Sequence, residues 1–364
     1  MSRIRDLAKI LTASTDMATD AEVTSSVASH AAAADPHTAS LKESEFGAAG
    51  KNLAINGGFD YWQRGTSLAL TSGQVYLSDR FKATCRNGAG TQSRYSLTLS
   101  ESATCANLKY AYQFDITTGA TNTNPRIYHV LEDAFYYYGR TMTVSFYAKA
   151  SKAITVGASA DLIFNNADNV SSVLNASLTT SWQRFSYTFT LSPAGTYNSA
   201  TDYGLVLLWD TPMNDTYTVY MTGVQIENGS TMTPFSRAGG TLQGELAACQ
   251  RYYYRVNSST SPWTFFGNGL GYTTGELGIV LAHPVTMRSE AISIETSAMN
   301  TFLMEQHATS NTNTPSSIII DTGASSVNNT VLAVTKSASF TLGAIYRLLS
   351  NNSTSAYIGV NAEL

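Results

Sequence analysis

Apolar and polar residues alternate strictly along several stretches of this chain. Gln183–Leu191 reads QRFSYTFTL and Thr141–Ala148 reads TMTVSFYA, and turn residues separate such runs. A two-residue period sends successive side chains to opposite faces of a strand, and turn signals roughly every ten residues are typical of an antiparallel β-sandwich. The sequence therefore predicts a mainly β protein with two such sandwiches, over residues 51–238 and 239–364, divided at the glycine-containing hinge Arg237–Gly240.

The first fifty residues follow a different period. Apolar residues recur at helical spacing, and a capping box at Thr19–Glu22 predicts the start of a second helix. The apolar stripe is narrow, so identical neighbours are needed to bury it. Residues 1–50 are therefore predicted to form a helical stalk that trimerises and attaches the protein to its particle, the alternative being a leader peptide. The predicted seam consists of Ile4, Leu7, Leu11, Val23, Val27 and His30.

Two of the five histidines, His30 and His37, bracket the segment AAAADP. A metal site formed by two histidines per chain would need a symmetry axis to complete the ligand set, and a catalytic pair would need a nucleophile that the neighbouring sequence lacks. The interpretation favoured here is structural, with Asp35-Pro36 ending the stalk because proline disfavours helix at the residue before it. No metal and no cofactor is predicted.

Composition excludes several classes of function. The chain has a net charge of −4 and only 13% charged residues, which argues against a nucleic-acid surface. Its three cysteines form no CxxC pair, so reduced thiols are expected. Charged residues interrupt the N-terminal apolar stretch, and no run reaches the ~18 apolar residues of a membrane span. Synthesis in a bacterial cytoplasm and release by a route other than secretion are expected.

A search for catalytic motifs finds none. The sequence contains no GxSxG, HExxH, phosphate-binding or dinucleotide-binding fingerprint. Its 26 acidic residues follow no pattern that marks a glycosidase pair. No catalytic residue is predicted, and the protein is expected not to be an enzyme.

Several strings resemble modules of bacteriophage tail fibres. NLAINGGFDYWQRGTS at 52–67 and YLSDRF at 76–81 resemble the opening of a fibre jelly-roll module, and VQIENGSTMTPF at 224–235 resembles its close. GELAACQRYYYR at 244–255 is similar to the junction with the following module, and HAAAADPH is similar to a stalk motif. The resemblance implies that residues 51–238 are a jelly roll, that residues 239–364 are a tip domain, and that the protein belongs to a virion.

The jelly roll is also similar to carbohydrate-binding modules. That likeness implies a β-sandwich able to hold a sugar, and it implies a structural calcium in some relatives, for which Asp60 and Glu227 are the matching carboxylates here. Exposed aromatic side chains are the usual platforms for sugar rings, and core packing or contacts between chains are the alternatives. The predicted glycan or receptor contacts are Tyr137, Trp263, Phe265 and Phe266.

The expected function is that of a non-enzymatic, homotrimeric tail fibre of a tailed phage. Its N-terminus would bind phage tail or adaptor proteins, and its C-terminal β domains would bind a host-surface glycan or an outer-membrane receptor. Three weak sites on one stem would together bind a surface more tightly than one site, because binding of the first site raises the effective concentration of the others. Two alternatives remain open: a connector or head-decorating fibre that holds another virion protein, and an enzyme that degrades host polysaccharide.

Overall fold

The computed structural model describes Ser25, Ser29 and residues 50–137, 139–164, 167–190, 204–306 and 311–363. Met1–Phe46 and Gly47–Leu364 form two compact units. In the first unit, Ser25 and Ser29 are helical and exposed. The six predicted seam residues lie outside the described residues, so the stalk stays a prediction: Ile4, Leu7, Leu11, Val23, Val27 and His30.

The N-terminal part of the second unit contains two antiparallel sheets. Sheet A has the strand order β1-β4-β5-β12-β7-β10, and sheet B has the order β2-β3-β6-β11-β8-β9. The strands are β1 Ser67–Ala69, β2 Val75–Tyr76, β3 Phe81–Thr84, β4 Ala89–Ser96, β5 Tyr110–Thr118, β6 Arg126–Glu132, β7 Thr141–Ala150, β8 Ile154–Phe164, β9 Ala167–Leu178, β10 Gln183–Thr190, β11 Gly204–Asp210 and β12 Tyr217–Asn228.

Large rings join the two sheets across one hydrophobic core. Trp209 of β11 is 1% exposed, and its ring centroid lies 5.8 Å from that of Phe146 on β7. Phe81 of β3 lies 4.5 Å from Phe59, centroid to centroid. Trp62 is buried in the same cluster, so Trp62 and Trp209 both belong to the core of this sandwich.

The C-terminal part of the second unit also consists of antiparallel sheets. Sheet C has the order β13-β22-β16, and sheet D has the order β18-β17-β21-β14-β15-β20-β19. Residues of both sheets share a second hydrophobic cluster. The strands are β13 Tyr253–Asn257, β14 Phe265–Gly271, β15 Leu277–Ala282, β16 Ser293–Thr296, β17 Phe302–Gln306, β18 Asn311–Asn313, β19 Ser317–Ile320, β20 Asn329–Thr335, β21 Ile345–Ser350 and β22 Tyr357–Asn361.

The described residues are thus mainly β, as the sequence predicts. One compact unit spans Gly47–Leu364, so the division into domains 51–238 and 239–364 stays a prediction. The described helices are short: α1 Leu99–Thr104, α2 Ala134–Tyr137, α3 Leu242–Gln250 and the 3-10 turn Met299–Thr301. None of these helices is long and apolar enough to span a membrane.

Two short helices lie between strands of sheets A and B. β4 ends at Ser96, and Thr98 and Glu101 form a capping box that starts α1. Tyr136 and Tyr137 belong to α2, and Tyr138 lies outside the described residues. A positive φ of 67° at Asp133 ends β6 and turns the chain into α2.

A buried charge network joins the sandwich of sheets A and B to the C-terminal part. Arg80 forms an ion pair with Glu363, and both side chains are at least 97% buried. The Arg80 guanidinium also lies 3.5 Å from the centroid of the Tyr252 ring. The ion-pair partner of Arg80 therefore comes from the other end of the chain and is not the adjacent Asp79.

Asp79 binds a neutral partner at the same junction. Its Oδ1 accepts from the Gln63 backbone N–H at 3.0 Å, and its Oδ2 accepts from Gln63 Nε2 at 2.7 Å. Gln63 Nε2 also donates to the Tyr253 carbonyl at 2.8 Å. Burial raises the pKa of Asp79 to about 6, although both hydrogen bonds from Gln63 act in the opposite direction. One glutamine amide thus connects a buried carboxyl of the first sandwich to β13.

Candidate functional site

The outer face of sheet B carries a groove of about 280 Å³. It lies across β3, β6, β11 and β8, where cross-strand partners bring Lys82, Tyr128 and Leu208 into one row. The lining residues are Gln74, Lys82, Thr84, Arg86, Thr123, Arg126, Tyr128, Val130, Asp161, Val206 and Leu208. Alternate residues of the same strands point inward, so the core directly supports the floor of this groove.

The floor of the groove is apolar. Tyr128, Val130, Val206 and Leu208 form a small cluster on the outer side of the sheet, and each is at most 8% exposed. Outward-facing residues of an antiparallel sandwich are normally polar. An apolar floor with one aromatic ring, surrounded by polar groups, is the usual composition of a ligand site.

The rim of the groove is charged and polar. Arg126 forms a two-point contact with Asp210, with 3.3 Å between Nη2 and Oδ2. Burial lowers the pKa of Lys82, and the positive charge of Arg80 lowers it further. Three cations and one carboxylate therefore line the groove together with hydroxyl and amide groups from Thr84, Thr123 and Gln74. Such a rim offers many hydrogen-bond donors to a hydroxylated ligand.

The inward face beneath the groove is rigid. His129 is 1% exposed, its ring lies 4.5 Å from Phe81 between centroids, and its Nδ1 lies 3.2 Å from the Arg80 carbonyl oxygen. Burial holds the pKa of His129 well below its usual value, so the ring is neutral at pH 7 and Nδ1 donates to that carbonyl. His129 is therefore a structural residue.

The predicted aromatic contacts do not form one site. Trp263 and Phe265 are each 53% exposed, whereas Tyr137 is 6% and Phe266 is 5% exposed. Tyr137 and Phe266 are packed into the two hydrophobic cores, so neither ring faces the surface, contrary to expectation, whereas Tyr128 belongs to the outer cluster that lines the groove. Phe265 and Phe266 are adjacent on β14, so one points outward and the other packs against Phe302 at 5.3 Å between centroids. Whether Trp263 and Phe265 contact a glycan stays a prediction.

Phe265 belongs to an exposed apolar face of sheet D. Leu270 of β14 pairs with Ile345 of β21, and both side chains are about half exposed. Val280 of β15 and Ile319 of β19 are also more than half exposed. Several exposed apolar side chains on one sheet face are a mark of association surfaces, although Asn268 and Arg347 interrupt them. Phe265 therefore lies on a surface suited to protein contacts as well as to sugars.

The two carboxylates implied for calcium already have partners. Asp60 binds Arg237, with 2.7 Å between Oδ2 and Nε. Glu227 accepts from Gln225 and, at 3.0 Å, from the Thr233 hydroxyl. Among the described residues no group of three or more His, Cys, Asp or Glu side chains is placed to hold a metal ion. His30 and His37 lie outside the described residues, and so does any site they form.

Two strands contain more apolar residues than a sandwich strand with one polar face should have, and this excess indicates the groove. The β6 run RIYHVLE and the β11 run GLVLLWD are apolar at nearly every position. Continuous apolar runs indicate burial on both faces, whereas a sandwich strand should have one polar face. The excess apolar residues, Val130, Val206 and Leu208, are those that form the groove floor.

Comparisons with known proteins find likeness in structure alone. No protein-family model and no curated protein matches the chain. A family 4 carbohydrate-binding module covers 48% of this chain and 99% of its own, at 17% identity and a TM-score of 0.31. The family 11 carbohydrate-binding module of Clostridium thermocellum, solved with a β-1,3-1,4-mixed-linked tetrasaccharide, covers 46% and 98% at 14% identity and a TM-score of 0.30.

A phage protein is also among the similar structures. The enzymatically active domain of tailspike protein 4 from bacteriophage CBA120 has a TM-score of 0.34 and 11% identity, and the match covers 49% of this chain and 22% of the other. All three TM-scores are below 0.5, so these likenesses assign neither a ligand nor an activity to this chain.

Proposed function

We propose that the protein is a non-enzymatic fibre of a tailed-phage virion that binds a host-surface glycan through its β-sheet part. The groove on sheet B carries this proposal, because it combines an aromatic residue, an apolar floor and a rim of amide, hydroxyl and charged groups. Sugar recognition needs both an apolar ring face and hydrogen-bonding partners for hydroxyls. Strings at 52–67, 224–235 and 244–255 resemble tail-fibre modules and support the assignment to a virion.

The groove is a different glycan site from the one expected from the sequence. The sequence predicts host contact through the C-terminal β domains, with Tyr137, Trp263, Phe265 and Phe266 as the predicted contacts. The residues that line the groove come instead from positions 74 to 208 of the sequence. Exposed Trp263 remains a second candidate contact. The N-terminal segment 1–50 would attach the fibre to tail or adaptor proteins and hold three chains together.

A single substitution in the groove tests glycan binding. Tyr128→Ala is expected to weaken binding to a host-surface polysaccharide roughly fivefold, because an aromatic contact contributes about 1 kcal/mol beyond its buried area. The control is Tyr272→Ala, since Tyr272 directly follows β14 and is 50% exposed, and this variant should bind like the wild type. Titration calorimetry with purified polysaccharide measures both variants.

Two outcomes of that experiment would contradict the proposal. Equal affinity of wild type and Tyr128→Ala would remove the groove from the glycan site. A reducing-end assay on the same mixture of polysaccharide and wild-type protein gives the second outcome: release of reducing ends would show that the protein is an enzyme instead.

Trimer formation is expected to depend on the seam of the predicted stalk. Intact-protein mass measurement should give three times the 39.1 kDa chain mass for the wild type. The double substitution Val23→Lys with Val27→Lys should give a single chain, because charges on the seam cannot be buried between helices. Ser25→Lys with Ser29→Lys is the control at exposed positions and should stay trimeric. A monomeric wild type at micromolar concentration would contradict the proposal.

A further inference from the structure

A second pocket, of about 540 Å³, lies between the start of the first sandwich and the face of sheet C. Arg64 and Tyr76 form one wall. The other wall consists of Arg255 on β13, Glu295 on β16, and Tyr357 and Asn361 on β22. We call it the junction pocket. Two cations and one carboxylate line it, so its electrostatic potential favours an anion.

Arg255 is a fixed cation without a carboxylate partner among the described residues. Its guanidinium carbon lies 3.4 Å from the centroid of the Tyr357 ring, and its Nη1 donates to the Gln63 carbonyl at 3.2 Å. Its buried Nε has no hydrogen-bond partner in the described part of the chain, and no ion pair found there includes Arg255. A half-buried guanidinium held in this way is pre-organised for an incoming anion.

Arg64 is the second cation, and its own partners are shared. Its side chain is 7% exposed, with Nε 3.2 Å from Glu295 Oε1 and Nη1 3.4 Å from Glu363 Oε1. Glu363 also pairs with Arg80. Arg64 Nη2 is buried and has no hydrogen-bond partner among the described residues. Glu295 and Glu363 therefore form ion pairs with Arg64 and Arg80, and neither of them forms an ion pair with Arg255.

Glu295 lies on the same face of sheet C as Arg255, on the other side of Gly359, and its carboxylate already has partners. Gly359 pairs with both Arg255 and Glu295 across sheet C. A Cβ at Gly359 would lie 2.1 Å from the Tyr253 hydroxyl, which passes over this position and donates to Glu295 Oε2 at 2.9 Å. Both Glu295 oxygens are thus engaged, by Arg64 and by Tyr253, and Glu295 does not neutralise Arg255.

We propose that the junction pocket binds a carboxylate-bearing saccharide. The planar guanidinium of Arg255 matches a carboxylate in geometry and charge. Tyr76, Tyr357 and Asn361 supply ring surface, hydroxyl groups and an amide for the rest of the sugar. The pocket is large enough for a small ligand. This site adjoins the sheet B groove, with which it shares Gln74, and it adds selectivity for acidic sugars to the proposed function.

Calorimetry with full-length protein tests this proposal, with glucuronate-terminated and glucose-terminated oligosaccharides of equal length as probes. The acidic probe is expected to bind roughly tenfold or more tightly than the neutral probe, and Arg255→Gln should abolish that preference. Arg347→Gln removes an arginine of sheet D that already pairs with Glu305, so it should keep the preference. Tyr128→Ala should also keep it, which separates this site from the groove.

A second variant covers the case in which Arg255→Gln unfolds. Leu68 is 40% exposed and lines the pocket, so Leu68→Trp should fill the pocket without disturbing the core, and it should abolish the preference too. Equal affinity of the wild type for the two probes would overturn the proposal. A preference for the acidic probe that survives in folded Arg255→Gln or in Leu68→Trp would overturn it as well.

Discussion

Arg80→Met should destabilise the protein by about 3 kcal/mol, because removal of one member of a buried ion pair leaves the other charge without full compensation. Glu363 would keep only the longer contact with Arg64, at 3.4 Å. The Tyr252 ring and the Val130 carbonyl would also lose the guanidinium. Arg80 already has a left-handed φ of 69°, so methionine adds no new backbone strain. The free energy of unfolding in denaturant measures the loss.

The matched control for this prediction is Arg347→Met. Arg347 also pairs with a glutamate, Glu305, but the two side chains are 44% and 24% exposed. Exposed pairs contribute roughly 0–1 kcal/mol, so this variant should lie close to the wild type. Similar losses for Arg80→Met and Arg347→Met would show that burial at the junction adds nothing to the contribution of the pair.

Asp79→Asn should change the way stability depends on pH. The pKa of Asp79 is about 6 in the folded protein and about 3.9 in an unfolded chain. Because the folded state holds this proton more tightly, wild-type stability should fall as pH rises from 4 to 6 and should then level off. The difference of about 2 pKa units corresponds to about 3 kcal/mol. Asparagine cannot ionise, so the variant lacks this loss.

The measurement is the difference in unfolding free energy between Asp79→Asn and the wild type, at pH values from 4 to 7. From pH 4 to pH 7 the unfolding free energy of the variant should rise relative to that of the wild type by up to about 3 kcal/mol. An asparagine amide facing Gln63 Nε2 costs one hydrogen bond, but that cost is the same at every pH. Exposed Asp215, whose pKa is lowered by its hydrogen bond with Lys152, is the control, and Asp215→Asn should give a flat difference over this range. A flat difference for Asp79→Asn would contradict the prediction.

Strands with one buried face were predictable from the sequence. In β10 the buried Tyr187 and Phe189 alternate with the exposed Ser186 and Thr188, so the two-residue period is visible in the sequence itself. Thr98 is different, because its side chain caps a helix through Glu101. Threonine suits a strand equally well, so the capping residues could not be distinguished from the alternating run in which they lie.

The sites were less predictable, for two different reasons. Phe265 and Phe266 were both assigned to the surface, although adjacent strand residues point to opposite faces, so this error was avoidable. Arg80 and Glu363 are 283 positions apart, and no local pattern connects them. The groove was partly predictable. The sequences of β6 and β11 contain more apolar residues than an alternating pattern requires, and the additional ones form its floor.

The sequence separation within the Arg80–Glu363 pair has a consequence for biosynthesis. Ribosomes add about 5–20 residues per second, so roughly 14–57 s pass between synthesis of Arg80 and synthesis of Glu363, which lies 283 residues later. During that interval a nascent sandwich would hold an uncompensated internal cation. Contacts over such distances also slow folding, because loop closure has to precede them. Completion of the junction is therefore a late event, and chaperone engagement should be greatest before it.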